Sequence, residues 1–172
     1  MINNQKLEFF MKNLTYSCTL LTFLLSGISF AESSYVRLTS LWQGSEKCLD
    51  VINDGTNNKV QLATCGNYSG QFWKMDPVND LGDFQLTNMW LGENKCLSAT
   101  GPYNDVLEII DCQGPLENTW NFLSYRHGEY QPLMPNGSDY VLDVLNDGQN
   151  NKLHLTYFGN YSGQYWKATP AQ

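Results

Sequence analysis

LDVLNDGQNNKLHLTYFGNYSGQYWK, residues 142–167, nearly restates LDVINDGTNNKVQLATCGNYSGQFWK, residues 49–74. The two align without a gap and share Leu-Asp-Val, Asn-Asp-Gly, Asn-Asn-Lys and Gly-Asn-Tyr-Ser-Gly-Gln-aromatic-Trp-Lys. A decayed third copy lies between them at 95–123, and the copies close on Trp73, Trp120 and Trp166, spaced 47 and 46 residues apart. Each copy reads as four short strands. Tyr35-Val36-Arg37-Leu38-Thr39, continued by Leu41-Trp42, has the alternation of a half-buried strand. Asn53-Asp54-Gly55 followed by Asn57-Asn58 is hairpin chemistry, because these residues accept positive φ. No capped helical stripe of ten residues occurs. The chain is therefore all-β, with about twelve strands in three units over 35–77, 83–124 and 128–170. Three units are too few for a propeller, and an open stack would leave sticky edges. Closure about a three-fold axis removes those edges and predicts a shared core of Leu49, Leu97 and Leu142 with the three tryptophans.

Outside the repeats, residues 1–31 read as a secretory leader. Lys12 precedes an apolar run over 20–30, and Ser29-Phe30-Ala31 places small residues where a signal peptidase reads them. Cleavage is expected after Ala31, giving a secreted, extracellular or periplasmic protein. The run falls short of the roughly 20 apolar residues of a membrane span. The remainder, 32–172, suits one domain. The chain carries a formal charge of −7. That balance disfavours nucleic acid and anionic lipid as partners, since both require a positive field.

Four cysteines follow the leader. Cys48 and Cys65 are 17 apart, Cys96 and Cys112 are 16 apart, and the third copy has Val141 and Phe158 at the equivalent positions. Joint loss of both positions is what bonded pairs predict, so of the three possible connectivities we expect Cys48–Cys65 and Cys96–Cys112. Zinc is disfavoured, because no CxxC is present and export leads to an oxidising compartment. The Asn-Asp-Gly words lack the ligand spacing of a calcium loop. No metal or cofactor is expected.

Three copies of about forty-five residues, each with Cys-Leu-Asp or a relic of it and each ending in Gln-x-Trp or a relic of it, resemble the ricin B-chain type lectins. The resemblance implies a β-trefoil fold and recognition of glycans, commonly galactose-type, on glycoproteins, glycolipids or polysaccharide, sometimes as the cell-binding part of a toxin-like assembly. It implies a sugar site with an aspartate after Cys-Leu, a Gln-x-Trp glutamine, an asparagine just before that glutamine and an aromatic platform. The matching residues are Asp50 and Gln71 in the first unit and Asp143 and Gln164 in the third. The middle unit has Ser98 and Asn118 instead and is expected to hold no sugar. The family's platform and asparagine positions carry Ala63 and Thr156, and Gly70 and Gly163. The shared Gly-Asn-Tyr-Ser-Gly loop offers substitutes: Tyr68 and Tyr161 for the platform, Asn67 and Asn160 for the amide.

Plainer roles stand beside these. Asp50 and Asp143 would serve equally to brace the Asn-Asp-Gly hairpins, and Gln71 and Gln164 to hold each repeat together. Asn67-Tyr68-Ser69 and Asn160-Tyr161-Ser162 match the glycosylation acceptor pattern. Catalysis has little support: His127 and His154 stand in no nucleophile or metal motif, and no carboxylate pair stands out. The expected function is glycan binding without catalysis; the alternative is a protein-interaction subunit with vestigial sugar sites.

Overall fold

A computed structural model describes residues 34–114 and 117–171. The leader at 1–31 lies outside the described residues, as does the start of the domain at residue 32. The first unit comprises β1 (Val36–Ser40), β2 (Lys47–Val51), β3 (Val60–Thr64) and β4 (Trp73–Pro77). The second comprises β5 (Phe84–Asn88), β6 (Gly92–Thr100), β7 (Val106–Asp111) and β8 (Thr119–Phe122). The third comprises β9 (Gln131–Pro135), β10 (Tyr140–Val144), β11 (Leu153–Tyr157) and β12 (Tyr165–Pro170). The first and last strands of each unit pair antiparallel around a closed ring, β1–β4–β5–β8–β9–β12 and back to β1. The middle strands form three hairpins, β2–β3, β6–β7 and β10–β11. This is the β-trefoil, in which each of the six ring strands has a paired neighbour on both sides.

Period-two alternation decides what each hairpin buries. In β2–β3 the pairs Leu49↔Leu62 and Val51↔Val60 turn to the core, while Cys48↔Ala63 and Asp50↔Gln61 share the other face. The same split recurs in β10–β11, with Asp143↔His154 and Val141↔Thr156 opposite Leu142↔Leu155. Leu49, Leu97, Leu142, Trp73, Trp120 and Trp166 are fully buried together, as expected. A buried indole N–H needs an acceptor, and each unit supplies the same one. Trp73, Trp120 and Trp166 donate from Nε1 to the carbonyls of Leu49, Leu97 and Leu142 at 3.0, 2.7 and 2.9 Å.

Both expected disulfides are present, with Cα separations of 5.1 and 5.0 Å. Where the third unit lacks one, Val141 is buried and Phe158 packs between Tyr125 and Tyr165, with ring centroids 5.1 and 6.1 Å away. Aromatic packing there occupies the place of the covalent tie. Replacing Cys48 and Cys65 by alanine is expected to cost about 3 kcal/mol, read from the urea midpoint. A change below about 1 kcal/mol would show that the tie is redundant.

One expected element is corrected. Leu41 and Trp42 do not continue the first strand, which ends at Ser40. The chain turns there: the Gln43 N–H donates to Ser40 Oγ and the Gly44 N–H to the Ser40 carbonyl, with Gly44 at φ +72°. This turn brings Trp42 beside the third unit, where the Leu41 and Trp42 N–H groups donate to the carbonyls of Tyr165 and Ser162 at 2.8 and 3.2 Å.

Candidate carbohydrate-binding clefts

Each word of the duplicated stretch has a separate structural task. In the Asn-Asp-Gly turn, Asp54 Oδ1 accepts from the N–H groups of Thr56 and Asn57 at 3.0 and 2.9 Å. Asp147 Oδ1 does the same for Gln149 and Asn150 at 3.1 and 2.9 Å. The Asn-Asp-Gly turns themselves are therefore braced by Asp54 and Asp147, while Asp50 and Asp143 accept the N–H groups of Val51 and Val144 within their own strands. Lys152 closes on Asp147 at 2.8 Å and, with these N–H donors, holds its carboxyl down at about 2.

In the loop word, the two glycines fit two different neighbours. A Cβ at Gly66 or Gly159 would fall closer than 3.0 Å to the ring of Tyr68 or Tyr161, so each tyrosine lies folded against its own loop backbone. A Cβ at Gly70 or Gly163 would fall closer than 3.0 Å to Asp50 Oδ1 or Asp143 Oδ1. Glycine at that position thus lets the single 3-10 turns Ser69–Gln71 and Ser162–Gln164 pack onto the carboxylates. The middle unit has a larger residue there, Glu117, opposite a smaller one, Ser98.

The glutamines lie beneath this loop. Gln71 is 1% and Gln164 0% exposed. Gln71 accepts from the Gly66 N–H at 2.8 Å and donates to the Thr64 carbonyl at 3.0 Å. Gln164 accepts from the Gly159 N–H at 2.9 Å and donates to the Tyr157 carbonyl at 3.0 Å and to Asp143 Oδ2 at 3.2 Å. Asn118 keeps this arrangement in the middle unit, accepting from the Gln113 N–H and donating to Ser98 Oγ. An amide in this place tethers the loop in all three units, whether or not an aspartate stands beside it.

Two clefts form above the aspartates, each at a junction between units. In the third unit a cleft of about 560 Å³ contains Asp143, Asn146, His154, Thr156, Tyr161 and Trp42. In the first, one of about 440 Å³ contains Asp50, Asn53, Asn67, Tyr68, Gly70 and Trp90. The structure therefore brings Asp50, Asn67 and Tyr68 together, and likewise Asp143 and Tyr161. Asn160 does not line the third cleft; held at φ +60°, it accepts the Tyr165 hydroxyl. Tyr68 and Tyr161 are 65% and 67% exposed, available to a ligand at little desolvation cost.

Two contributions escaped the sequence reading. The tryptophan in each cleft comes from the next unit around the ring: Trp42 of the first serves the third, and Trp90 of the second serves the first. Trp90 is anchored by buried Asn88, which donates to the Gly70 and Phe72 carbonyls at 2.9 and 3.2 Å and accepts the Trp90 N–H at 3.0 Å. Asn53 and Asn146 supply an amide to each cleft from the hairpin word. A signal for the tryptophans was present, since each stands four residues after a core leucine, Leu38 or Leu86. The residue four after Leu133 is Gly137. Among the described residues the middle cleft accordingly has no aromatic wall; about 290 Å³ is lined by Ser98, Asn104, Glu117, Asn118, Pro135 and Asn136 among others.

Burial raises the pKa of both Asp50 and Asp143 above the ordinary carboxylate value, with the neighbouring glutamine amides and the Val51 and Val144 N–H groups acting against that rise. For Asp143 the larger opposing influence is His154. Neither cleft contains a lysine, an arginine or a second carboxylate among these lining residues. Among the described residues no cluster of three metal-binding side chains occurs. No helix among them is long and apolar enough to cross a membrane.

A family model described as a ricin-type beta-trefoil lectin domain matches residues 34–166. No curated protein matches the chain by sequence. Among solved structures, the chain is similar to the designed three-fold symmetric protein ThreeFoil, at 22% identity and a TM-score of 0.66, over 80% of this chain and 99% of that one. It is similar to a Macrolepiota procera ricin B-like lectin solved with lactose, at 14% identity and a TM-score of 0.64, over 81% and 96%. It is also similar to part of a mosquitocidal holotoxin, at 14% identity and a TM-score of 0.68, over 82% of this chain and 18% of that one. At these identities the likeness is one of fold.

Proposed function

The chain belongs to the ricin-type β-trefoil lectin family, and from that we propose that it is a non-catalytic carbohydrate-binding protein with two working sites, the clefts of the first and third units. The observation that carries this reading is recurrence: aspartate, asparagine, tyrosine, glycine and a tryptophan from the next unit meet at two junctions, while the middle junction lacks both aspartate and tryptophan. A carboxylate accepts two directed hydrogen bonds from adjacent hydroxyls. The aromatic walls cover the C–H face of a sugar ring, which water solvates poorly. Asn53 and Asn146 complete the polar set. Gln71 and Gln164 act as positioning residues, holding the loop that carries the tyrosine. With an aspartate in each cleft, no lysine or arginine among the lining residues and a net charge of −7, a neutral sugar is favoured over an acidic one. Lactose, seen with the Macrolepiota procera lectin, is a suitable first probe within a panel of neutral glycans.

Isothermal titration tests the assignment. Two sites are expected in the native chain, with Trp42→Ala removing the third-unit site and Trp90→Ala the first-unit site. Unchanged stoichiometry in both variants would show that the junction tryptophans border no sugar. The two sites together provide bivalent attachment to one glycan surface. The holotoxin neighbour, of which this chain spans 18%, favours a second reading in which the same module delivers a partner protein. We further propose export with cleavage after Ala31, which N-terminal sequencing of the secreted product tests.

A further inference from the structure

The two clefts share their vocabulary but differ across the hairpin. In register, Asp50 stands opposite Gln61, whereas Asp143 stands opposite His154. His154 lines the third cleft with Nε2 3.8 Å from Asp143 Oδ2, beyond hydrogen-bond reach yet within a small rotation of it. Asp143 Oδ2 already accepts from Gln164 Nε2 at 3.2 Å, and the Gly163 turn packs against Oδ1. Few lone pairs therefore remain for a ligand. The groups that line the cleft with His154 include Asp143 from β10, Tyr161 and Ser162 from the loop, and the uncharged Trp42 from the neighbouring unit. On the approach to β11, Lys152 is already paired with Asp147 at 2.8 Å. Inside the cleft, Asp143 is thus the charged group that His154 meets among the lining residues.

We propose that His154 makes the third cleft a proton-gated sugar site: on acidification the imidazolium closes on Asp143 and occupies the carboxylate oxygen that a sugar hydroxyl needs, so this cleft releases its ligand while the first still holds. Histidine changes charge between about pH 5 and 8, whereas the Gln61 amide does not titrate. One proton is taken up and no covalent bond changes. Two-point attachment at neutral pH would become one-point attachment in a mildly acidic medium, and avidity that reaches roughly a hundredfold or more in bivalent systems would be lost. The release depends on the sugar-binding reading above; the proton coupling does not.

The test therefore has two arms. In the first, the carboxyl carbons of Asp50 and Asp143 are followed by NMR against pH in the native chain and in His154→Gln. Asp143 is expected to show two inflections, the upper one missing in His154→Gln and missing from Asp50 in both proteins. A single inflection for Asp143 in the native chain would overturn the proposal, whatever the protein binds. In the second arm, retention on lactose-agarose is compared at about pH 7.5 and about pH 5.5. Asp50→Ala, which leaves the third cleft, should lose about tenfold in retention. Asp143→Ala and the double variant Asp50→Ala/His154→Gln should show no such fall between the two conditions. A parallel fall in Asp50→Ala and Asp143→Ala would also overturn it. Two inflections for Asp143 with no retention of any of these proteins at either pH would support the coupling and refute the sugar reading.

Discussion

Alanine at both Asp50 and Asp143 is expected to abolish retention on immobilised neutral glycans while leaving the protein folded. Each carboxylate would accept two sugar hydroxyls, and losing these charge-assisted bonds corresponds to at least about a hundredfold weaker binding. The cost to folding is small, and the sign follows from the direction of the pKa shifts. Burial raises both carboxyls, so the native state holds their protons more tightly than the unfolded chain does. Their ionised forms accordingly oppose folding at neutral pH, and that opposition is relieved as the pH falls through the raised values. Removing them does not subtract charge-based stability at neutral pH, and Gln164 keeps its bond to the Tyr157 carbonyl. The same shifts predict that binding at Asp50 is lost on acidification above the ordinary aspartate range near about 3.9. Thermal unfolding alongside glycan retention checks both halves; a double variant that binds as the native chain does would remove the aspartates from the site.

The second large effect is on stability. Trp120 is fully buried and donates to the Leu97 carbonyl at 2.7 Å. Trp120→Ala is expected to cost about 3–5 kcal/mol through the cavity it leaves. Trp120→Phe, which keeps much of the volume and strands the carbonyl, should cost about 1–3 kcal/mol. The middle unit is chosen because its cleft lacks the sugar-binding set, so the glycan retention of whatever remains folded should be unchanged. Urea denaturation measures both variants. A loss below about 1 kcal/mol for the alanine variant would mean that this tryptophan is not a keystone of the shared core.

The fold was legible because its determinants are local and repeated. Period-two alternation marks Leu49, Val51 and Leu62 as core, turn chemistry marks Asn-Asp-Gly, and the jointly missing Val141 and Phe158 positions reveal which cysteines pair. The candidate aspartates were legible through the resemblance to the ricin B-chain type lectins, as the residue after Cys-Leu or its relic, and period two then places them on the face opposite the core leucines. The other half of each cleft was hidden by closure of the ring. Trp42 reads as strand continuation until the ladder from β1 to β12 ends at Ser40 and the turn presents it to a unit more than a hundred residues away. Asn88 resembles any polar strand-end residue until its amide is seen bridging Gly70, Phe72 and Trp90. His154 is one position in a hairpin, and only the register against Asp143 gives it a role. The Gly-Asn-Tyr-Ser-Gly word was recognisable as special, but its glycines were informative only once their neighbours were known: one lies beneath a tyrosine ring, the other against a carboxylate.

The central claim, two glycan clefts at unit junctions and none in the middle, is tested most directly by the five indole N–H resonances in a nitrogen-15 NMR titration with lactose and a panel of neutral glycans. Trp42 and Trp90 should shift in a saturable manner, while Trp73, Trp120 and Trp166, buried and bonded to leucine carbonyls, should not. No shift with any glycan, or shifts of the buried indoles with none at Trp42 and Trp90, would contradict it.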